Sequence, residues 1–347
     1  MNFPVMSFYV NCDAKVGYGH LMRSLTVARS LDANGLVKAR FFMSEDSDIK
    51  LVKKFQFEIV RVAINQNPAT QLISHLSPEE GPILLDSYDI DTQCLKSLRD
   101  NGFSVAMFED GCRLDSYPCD LVIDSAPDAP SLPYKGLPAT CIYLGSKYFP
   151  LRSEFSACLG IKTVKESIET IVISFGGSDK YDATMRVLEV LANIPGSFQI
   201  IAVLGPSYVG KAELASRFDQ RVRTLRNVSD MAKVLGSADI AVSGGGNTAS
   251  ELAFLGVPMI LLPLSNDQYS VANGMEKSGA AVCLGFHDKT ANKVIAEALA
   301  NLIGDVKRRE EMIVAGRLQV DGNGANRITK AILSTLSKVD FKPLNLV

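Results

Sequence analysis

The chain has 347 residues, of which 47% are hydrophobic and 21% are charged, a composition that is typical of globular proteins and excludes extensive disorder. Its 36 lysines and arginines nearly balance 38 aspartates and glutamates, and no long basic run is interleaved with aromatics, so nucleic acid is not an expected partner. The length exceeds what one hydrophobic core usually supports, which predicts two domains.

The N-terminus and the cysteines indicate the expected compartment. MNFPVMSFYV lacks the basic start, apolar core and small-residue cleavage site of a secretion signal, and apolar stretches such as 257–264 are too short to span a bilayer. The seven cysteines are scattered and never spaced as CxxC, which favours reduced thiols over disulfides or a zinc site. We therefore expect a cytoplasmic protein without membrane insertion, bound metal or cofactor.

The first predicted elements are a strand, a glycine turn and a helix. SFYVNCDA is rich in strand-forming residues, and Gly17 and Gly19 supply the turn. The helix carries an apolar stripe with one member about every turn, namely Leu21, Leu25, Ala28 and Leu31. This places His20 near a helix N-terminus at the carboxyl end of a strand, where α/β sheets bind ligands and an imidazole can exchange protons. The alternative is a histidine that caps its own helix.

Short apolar strands and helices then alternate along both halves, which predicts two α/β domains. The first half contains KARFFMS, FEIVRVA, GPILLDSYD, SVAMFED, CDLVIDSA and TCIYLG, with a helix over residues 91–101. The second half contains TIVISFGGSD, FQIIAVLG, VRTLRNV, ADIAVSGGG, VPMILLPL and AAVCLGF. An irregular stretch at 150–168 indicates the boundary, so we predict domains 1–155 and 156–347 with the ligand cleft between them.

Two glycine-rich loops follow predicted strands in the second half. One contains Gly177 and Ser178, and the other contains Gly245 and leads into a helix that begins near Asn247 or Thr248. Backbone N–H groups and the dipole of a helix N-terminus favour a phosphate there. Neither loop has the GxGxxG or GxxxxGK[ST] pattern, which argues against dinucleotide redox chemistry and P-loop ATP hydrolysis.

Glu251 lies in the first part of that second helix, where its carboxylate could accept hydrogen bonds from a ribose diol. The alternative is a capping box, because Thr248 and Glu251 have the T-x-x-E spacing. A phosphate-bearing ligand held by the second domain and facing a histidine of the first fits an enzyme that uses a nucleotide sugar.

The sequence CDAKVGYGHLMRSLTVA resembles the opening of the PseG-type UDP-sugar hydrolases. Further matches follow in order over nearly the whole chain, namely LLDSYDI, FEDG, GSKYFPLRSEF, SFGGSD, SGGGNTASELAFLGVP, NDQ and DGNGANRI. The resemblance implies an α/β protein of two Rossmann-like domains facing a central cleft, the glycosyltransferase-B type that MurG-like transferases share. It also implies removal of UDP from a UDP-linked 2,4-diacetamido-2,4,6-trideoxy sugar in pseudaminic acid biosynthesis.

These observations together predict the site residues. His20 acts as general base on a water that attacks C1 of the UDP-linked amino sugar, Asp13 orients the imidazole, and backbone N–H groups stabilise the departing UDP without a metal. The predicted substrate-binding residues are Gly19, Arg23, Tyr88, Gly177, Ser178, Gly245, Asn247, Thr248, Glu251 and Gln268. Alternatives are a solvated helix residue for Arg23 and a core tyrosine for Tyr88.

The chain departs from the family pattern in two places. Asn11 stands where the family usually has arginine, and the loop from Asp13 to His20 is about two residues shorter, by comparison of the motifs. Asparagine carries no charge and reaches less far, which changes the group that this loop can hold. Two alternative functions therefore stay open: an inverting UDP-sugar glycosyltransferase, and a nucleotide-sugar binding protein with little turnover.

Overall fold

The computed structural model of the protein describes residues 5–12, 18–33, 35, 37–63, 66–158, 163–211 and 219–336. The chain divides into two compact units. Unit 1 comprises Met1–Ser125, Ala129–Pro150 and Asn323–Val347, and unit 2 comprises Ala126–Asp128 and Leu151–Gly322.

Strands and helices alternate as the sequence predicts. The strands are β1 (Val5–Val10), β2 (Lys38–Ser44), β3 (Glu58–Val62), β4 (Ile83–Asp86), β5 (Val105–Phe108), β6 (Leu121–Asp124), β7 (Cys141–Leu144), β8 (Thr170–Ser174), β9 (Gln199–Leu204), β10 (Val222–Arg226), β11 (Ile240–Ser243), β12 (Met259–Leu261) and β13 (Ala281–Cys283). The helices are α1 (Gly19–Ala33), α2 (Lys50–Lys54), α3 (Pro68–His75), α4 (Thr92–Asp100), α5 (Ser153–Ser156), α6 (Ala183–Ala192), α7 (Met231–Gly236), α8 (Asn247–Leu255), α9 (Asn266–Lys277), α10 (Asn292–Gly304), α11 (Val306–Gln319) and α12 (Gly324–Leu336).

Unit 1 contains a seven-stranded parallel sheet in the order β3-β2-β1-β4-β5-β6-β7. The strands β4, β5 and β6 are buried throughout, which explains their continuous apolar sequences, since helices cover both faces of a parallel sheet. The sheet order reverses between β1 and β4. Ligands of doubly wound sheets bind at the carboxyl ends of the strands at such a point.

Unit 2 repeats this arrangement with a six-stranded parallel sheet in the order β10-β9-β8-β11-β12-β13. Its order reverses between β8 and β11, the two strands that precede the glycine-rich loops. Both units are therefore Rossmann-like, and the predicted α/β class is confirmed.

The two units differ from the predicted domains 1–155 and 156–347 at three points, of which the first is that Ala126–Asp128 belongs to unit 2. Unit 1 ends its central part at Pro150, and the chain returns to it at Asn323. The physical reason for the return is the apolar face of α12, because Ile328, Ala331 and Ile332 are buried in the core that α1 and β1 also form.

All seven cysteines are free thiols, as the sequence predicts. Among the described residues, no helix combines the length and the apolar character that crossing a bilayer requires.

Candidate active site

His20 lies in the first turn of α1, the helix that follows β1 in the chain. Its side chain is only 6% exposed, and its Nδ1 lies 2.6 Å from Oδ1 of Asp86. Asp86 is the last residue of β4 and is paired with Val10, the last residue of the adjacent parallel strand β1. The carboxylate of Asp86 therefore lies at the same sheet edge as the start of α1, where it meets His20. Nη2 of Arg23 lies 3.0 Å from the same Nδ1. In the tautomer with its hydrogen on Nδ1, the ring donates to the carboxylate and Nε2 is the acceptor.

Arg23 lies one turn further along α1 and joins two carboxylates. Its Nε lies 2.9 Å from Oδ2 of Asp86, and its Nη1 lies 2.6 Å from Oδ1 of Asp110, which follows β5. Ser24 adds a hydroxyl donor to Oδ2 of Asp86 at 2.8 Å. The guanidinium is buried within this network, so the alternative of a solvated helix residue is wrong.

The charges of this cluster depend on one another. Burial by itself would raise the pKa of Asp86, but Arg23 and then His20 outweigh that effect and lower the pKa to about 2. Burial likewise opposes ionisation of Asp110, and Arg23 lowers the pKa of that carboxyl too. Two carboxylates facing one guanidinium leave a net negative charge beside the imidazole of His20.

Tyr88 adds an aromatic surface beside the imidazole. Its ring packs edge-on against His20, with centroids 4.6 Å apart and an interplanar angle of 87°. The side chain is 41% exposed, which excludes the alternative of a core tyrosine. The Arg113 guanidinium lies 5.1 Å from the Tyr88 ring centroid and pairs with Glu109 at 2.8 Å.

Asn11 follows β1 directly and bonds to residues that follow β4. Its Nδ2 donates to Ser87 Oγ at 3.2 Å and to Asp89 Oδ2 at 3.1 Å, and the Tyr9 hydroxyl donates to the same Asp89 oxygen at 2.9 Å. Asn11 therefore belongs to a hydrogen-bond network with one carboxylate, that of Asp89, and brings no positive charge to it. The predicted orienting residue Asp13 lies outside the described residues.

The second glycine-rich loop of unit 2 leads into α8, which begins at Asn247 as predicted, with Gly246 at the N-cap position. Gly245 adopts φ +100°, and a Cβ there would lie 2.7 Å from the backbone oxygen of Gln268. Gln268 is held in place because its Oε1 accepts from the Leu264 amide at 3.0 Å. The loop therefore requires glycine, and the α8 N-terminus receives no side-chain cap from its N-cap residue.

The first glycine-rich loop differs, because a carboxylate caps the helix that follows it. Asp179 accepts from the amides of Ala183 and Thr184, both at 2.9 Å, at the start of α6. The carbonyl of Gly177 accepts from the Ser207 amide at 2.9 Å. Two N-terminal amides of α6 are thus already bonded to a carboxylate of the protein itself.

Glu251 lies one turn inside α8 and is only 5% exposed. Both Nε and Nη2 of Arg152 contact its Oε1, at 2.9 and 2.8 Å. Because α8 begins at Asn247, Thr248 is not the N-cap residue, and the alternative of a capping box is wrong. Burial raises the pKa of the Glu251 carboxyl, while Arg152 acts in the opposite direction.

The predicted site residues thus fall into separate groups. Gly19, His20, Arg23 and Tyr88 lie together in unit 1; Gly245, Asn247, Thr248, Glu251 and Gln268 lie together in unit 2; and Gly177 and Ser178 lie in the other loop of unit 2. Sequence reasoning missed the roles of Asp86, Asp110 and Arg152. For the first two, the signal was an acidic residue at the end of each of two neighbouring strands, ILLD and MFED.

Known proteins resemble this chain over between about half and nearly all of its length. Residues 170–327 match the glycosyltransferase family 28 C-terminal domain. The spore coat polysaccharide biosynthesis protein SpsG of Bacillus subtilis is 25% identical over 328 residues, covering 92% of this chain and 95% of SpsG. The uncharacterized protein MJ1062 of Methanocaldococcus jannaschii is 27% identical over 261 residues, covering 72% of this chain but only 53% of its own length.

A further relative is the UDP-N-acetylglucosamine–N-acetylmuramyl-(pentapeptide) pyrophosphoryl-undecaprenol N-acetylglucosamine transferase of Caulobacter vibrioides. It is 26% identical over 203 residues, which cover 54% of each protein. The chain thus spans about half the length of this transferase and of MJ1062.

Solved structures identify the fold. MurG of Acinetobacter baumannii superposes with a TM-score of 0.70 at 16% identity, covering 95% of this chain and all of that one. The calicheamicin glycosyltransferase CalG4 superposes with a TM-score of 0.66 at 12% identity, covering 97% of this chain and all of that one. Spinosyn rhamnosyltransferase SpnG, solved with thymidine diphosphate, superposes with a TM-score of 0.64 at 16% identity, covering 95% of this chain and all of that one. The chain therefore has the glycosyltransferase-B fold, and its residues 170–327 match the glycosyltransferase family 28 C-terminal domain.

Proposed function

We propose that the protein is an enzyme that breaks the C1–O bond of a UDP-linked sugar with inversion and passes the sugar to an acceptor hydroxyl. The observation that carries this proposal is the buried pair of His20 and Asp86 at the carboxyl edge of the unit 1 sheet. The chain that carries this pair also carries a glycosyltransferase family 28 C-terminal domain, and the Caulobacter relative is named as an N-acetylglucosamine transferase. Those names favour transfer over other reactions of a nucleotide sugar.

In this mechanism the Nε2 atom of His20 is the general base. It takes the proton of the acceptor hydroxyl as that oxygen attacks C1, and the C1–O bond to UDP breaks on the opposite face. Asp86 holds the ring and balances the charge of the imidazolium, while Arg23 fixes Asp86 between β4 and α1. Positioned proton transfer of this kind contributes roughly 10²- to 10⁴-fold in rate. Tyr88, exposed beside the imidazole, is the proposed contact for the sugar ring.

The leaving diphosphate is proposed to bind at the N-terminus of α8. The backbone amides of Gly245, Asn247 and Thr248 lie at the start of α8, where the helix dipole favours the negative charge that develops on UDP. Glu251 is the proposed ribose acceptor, and Gln268 braces the loop. Gly177 and Ser178 remain predicted contacts in the neighbouring loop.

Hydrolysis is the second candidate. It is favoured by the resemblance of GYGHLMR and the following motifs to the PseG-type hydrolases, because that resemblance includes the first half of the chain, which the family 28 match at 170–327 does not cover. The same base would then deprotonate water, and the substrate would be the UDP-linked 2,4-diacetamido-2,4,6-trideoxy sugar of pseudaminic acid biosynthesis. A binding protein with little turnover is less favoured, since binding alone has no need of an imidazole held by a buried carboxylate.

One experiment separates these functions. The full chain is incubated with UDP-N-acetylglucosamine or the UDP-linked diacetamido sugar in ¹⁸O-labelled water, with and without sugar acceptors, and UDP release is measured. Release that depends on an acceptor supports transfer, whereas acceptor-independent release with the label in the sugar supports hydrolysis. Label in UDP would rule out attack at C1, and nucleotide binding without release would leave a binding protein.

A further inference from the structure

Arg152 is held in place from three sides just before α5. Its Nε and Nη2 both contact Oε1 of Glu251, at 2.9 and 2.8 Å, and its Nη1 donates to Oε1 of Glu154 at 3.0 Å. The guanidinium also lies 4.8 Å from the centroid of the Phe155 ring. A guanidinium restrained in this way has little freedom to leave Glu251, so the pair behaves as one fixed unit.

The charge on Glu251 depends on this contact. Among the described residues, the charged groups that act on the Glu251 carboxyl are Arg152 and, with the opposite effect, Glu154. Helices α7, α9 and α11 also pack on α8, and the arginine nearest to the α8 C-terminus, Arg317 of α11, bonds to the Leu255 carbonyl one turn further along. A buried carboxylate without a cationic partner takes up a proton instead of staying charged.

The geometry of the contact leaves the second carboxylate oxygen for a ligand. Both nitrogens of Arg152 approach Oε1, so Oε2 has no contact from this guanidinium. Glu251 follows Asn247 by four residues, which is about 6 Å along a helix. That separation is of the order of the distance between the α-phosphate of a nucleotide and the hydroxyls on the far edge of its ribose.

We propose that Arg152 is a positioning residue that fixes Oε2 of Glu251 as the acceptor for a ribose hydroxyl, so that unit 2 selects ribonucleotides over 2′-deoxyribonucleotides. This inference rests on the proposed function, because it takes a nucleotide at α8 as its ligand. The fold alone does not impose such selectivity, since SpnG has the same fold and was solved with thymidine diphosphate, a deoxyribonucleotide.

The test is calorimetric titration of the full chain with UDP and with 2′-deoxy-UDP at pH 8 and pH 6. The wild-type protein is expected to prefer UDP by at least about tenfold, the equivalent of one good hydrogen bond to a charged acceptor. In Arg152→Met the loss of the cation raises the pKa of Glu251, so the preference should fall to about threefold or less at pH 6 and recover in part at pH 8. Arg152→Lys retains the charge and should restore most of the preference at pH 6.

Two controls separate this effect from other causes. Glu251→Gln should lose the preference for UDP at both pH values. Because this variant has no carboxylate at position 251, any change in its UDP affinity between pH 6 and pH 8 measures the contribution of the UDP phosphates. Arg308→Met removes an arginine from the surface of α11, where the nearest carboxylate oxygen is 3.7 Å away, and should leave both affinities unchanged.

The outcomes distinguish this inference from the function on which it rests. If the wild-type protein binds UDP and Arg152→Met keeps the wild-type preference at pH 6, the role of Arg152 is wrong while the proposed function stands. If the wild-type protein binds neither nucleotide, the proposed function fails. A preference that Arg152→Met and Arg152→Lys lose equally at both pH values would show that Arg152 only supports the local structure.

Discussion

At the scale of single residues, Asp86 connects the imidazole of His20 with the guanidinium of Arg23. Oδ1 lies 2.6 Å from His20 Nδ1 and also accepts from Arg23, while Oδ2 accepts from Arg23 and Ser24. Removing either partner would leave a buried charge or a buried donor unpaired, which costs more than the contact itself contributes. The residues of this cluster should therefore respond to substitution in different ways, according to whether the hydrogen bonds survive.

His20→Asn tests the proposed base. The asparagine amide can still donate to Asp86, so we expect folding and UDP affinity to stay near wild type, while turnover falls by at least about 10²-fold because no group takes the acceptor proton. Steady-state rates and calorimetry measure the two effects. His75→Asn, at the exposed end of α3, is the matched control and should change neither. Turnover that survives in His20→Asn would remove this residue from the mechanism.

Asp86→Asn tests the electrostatics of the cluster through stability. The folded pKa of Asp86 is about 2, below its ordinary value of 3.8, so its ionised form stabilises the fold above pH 4 and this contribution disappears as the pH falls towards 2. The free energy of unfolding of the wild-type protein should thus include a pH-dependent contribution that Asp86→Asn lacks. This contribution is about 2 kcal/mol at pH 6 and decreases between pH 4 and pH 2. Urea unfolding across this range measures it. Asp288→Asn changes an exposed aspartate and is the control, which should show no such trend with pH. If the difference in unfolding free energy between wild type and Asp86→Asn is the same at every pH, ionised Asp86 does not stabilise the fold in this way.

Local sequence pattern revealed some of these residues and hid others. His20 is visible because a glycine turn precedes an apolar helical stripe, and Arg23 follows on the same face by helical spacing. What the spacing could not tell is that this face meets the ends of β4 and β5, which turns Arg23 inward. Arg152 and Glu251 are 99 residues apart, so their contact depends on tertiary packing that no local period encodes.

At the scale of elements, the two glycine-rich loops of unit 2 look alike in sequence but end differently. In the first, Asp179 satisfies the amides that begin α6; in the second, Gly246 brings no side chain to α8. Most strand ends were predicted to within three residues, because buried parallel strands are continuous apolar runs; SFYVNCDA and TIVISFGGSD run four and five residues past the ends of β1 and β8. The capping difference was not predicted, since an aspartate after GGS reads equally well as a ligand or as a cap.

Gly245→Ala tests the loop before α8. The backbone there has φ +100°, and the added Cβ would lie 2.7 Å from the Gln268 carbonyl oxygen and 3.1 Å from the Ala272 side chain. We expect a loss of about 1–3 kcal/mol of stability, with weaker UDP binding because the loop must shift. Gly304→Ala is the control, since that glycine has no positive φ and nothing lies within 4 Å of its added Cβ. Equal effects of the two substitutions on denaturation and UDP affinity would refute the special role of Gly245.

At the scale of the whole molecule, the chain builds the same sheet order twice and then returns to the first unit. Each unit has its own apolar core: one includes β8 and α6, and another includes β1, α1 and α12. The repeated alternation of strands and helices made the two Rossmann-like units predictable. The packing of α12 on unit 1 could not be predicted. The sequence of an amphipathic helix shows which of its faces is buried, but not which unit that face packs against.

Ile332→Ala tests that assignment. The Ile332 side chain is buried in the core of unit 1, where α12 packs on α1, so its truncation should cost about 2–5 kcal/mol. Because the cores are separate, the loss should appear in hydrogen exchange as faster exchange of α1 and β1 peptides, with β8 and β11 peptides unchanged. Ile295→Ala, in the core of unit 2, is the mirror control and should accelerate exchange around β8 and α6 instead. Faster exchange of β8 in Ile332→Ala, with α1 unaffected, would mean that α12 stabilises unit 2 and that the division of the chain at Asn323 is wrong.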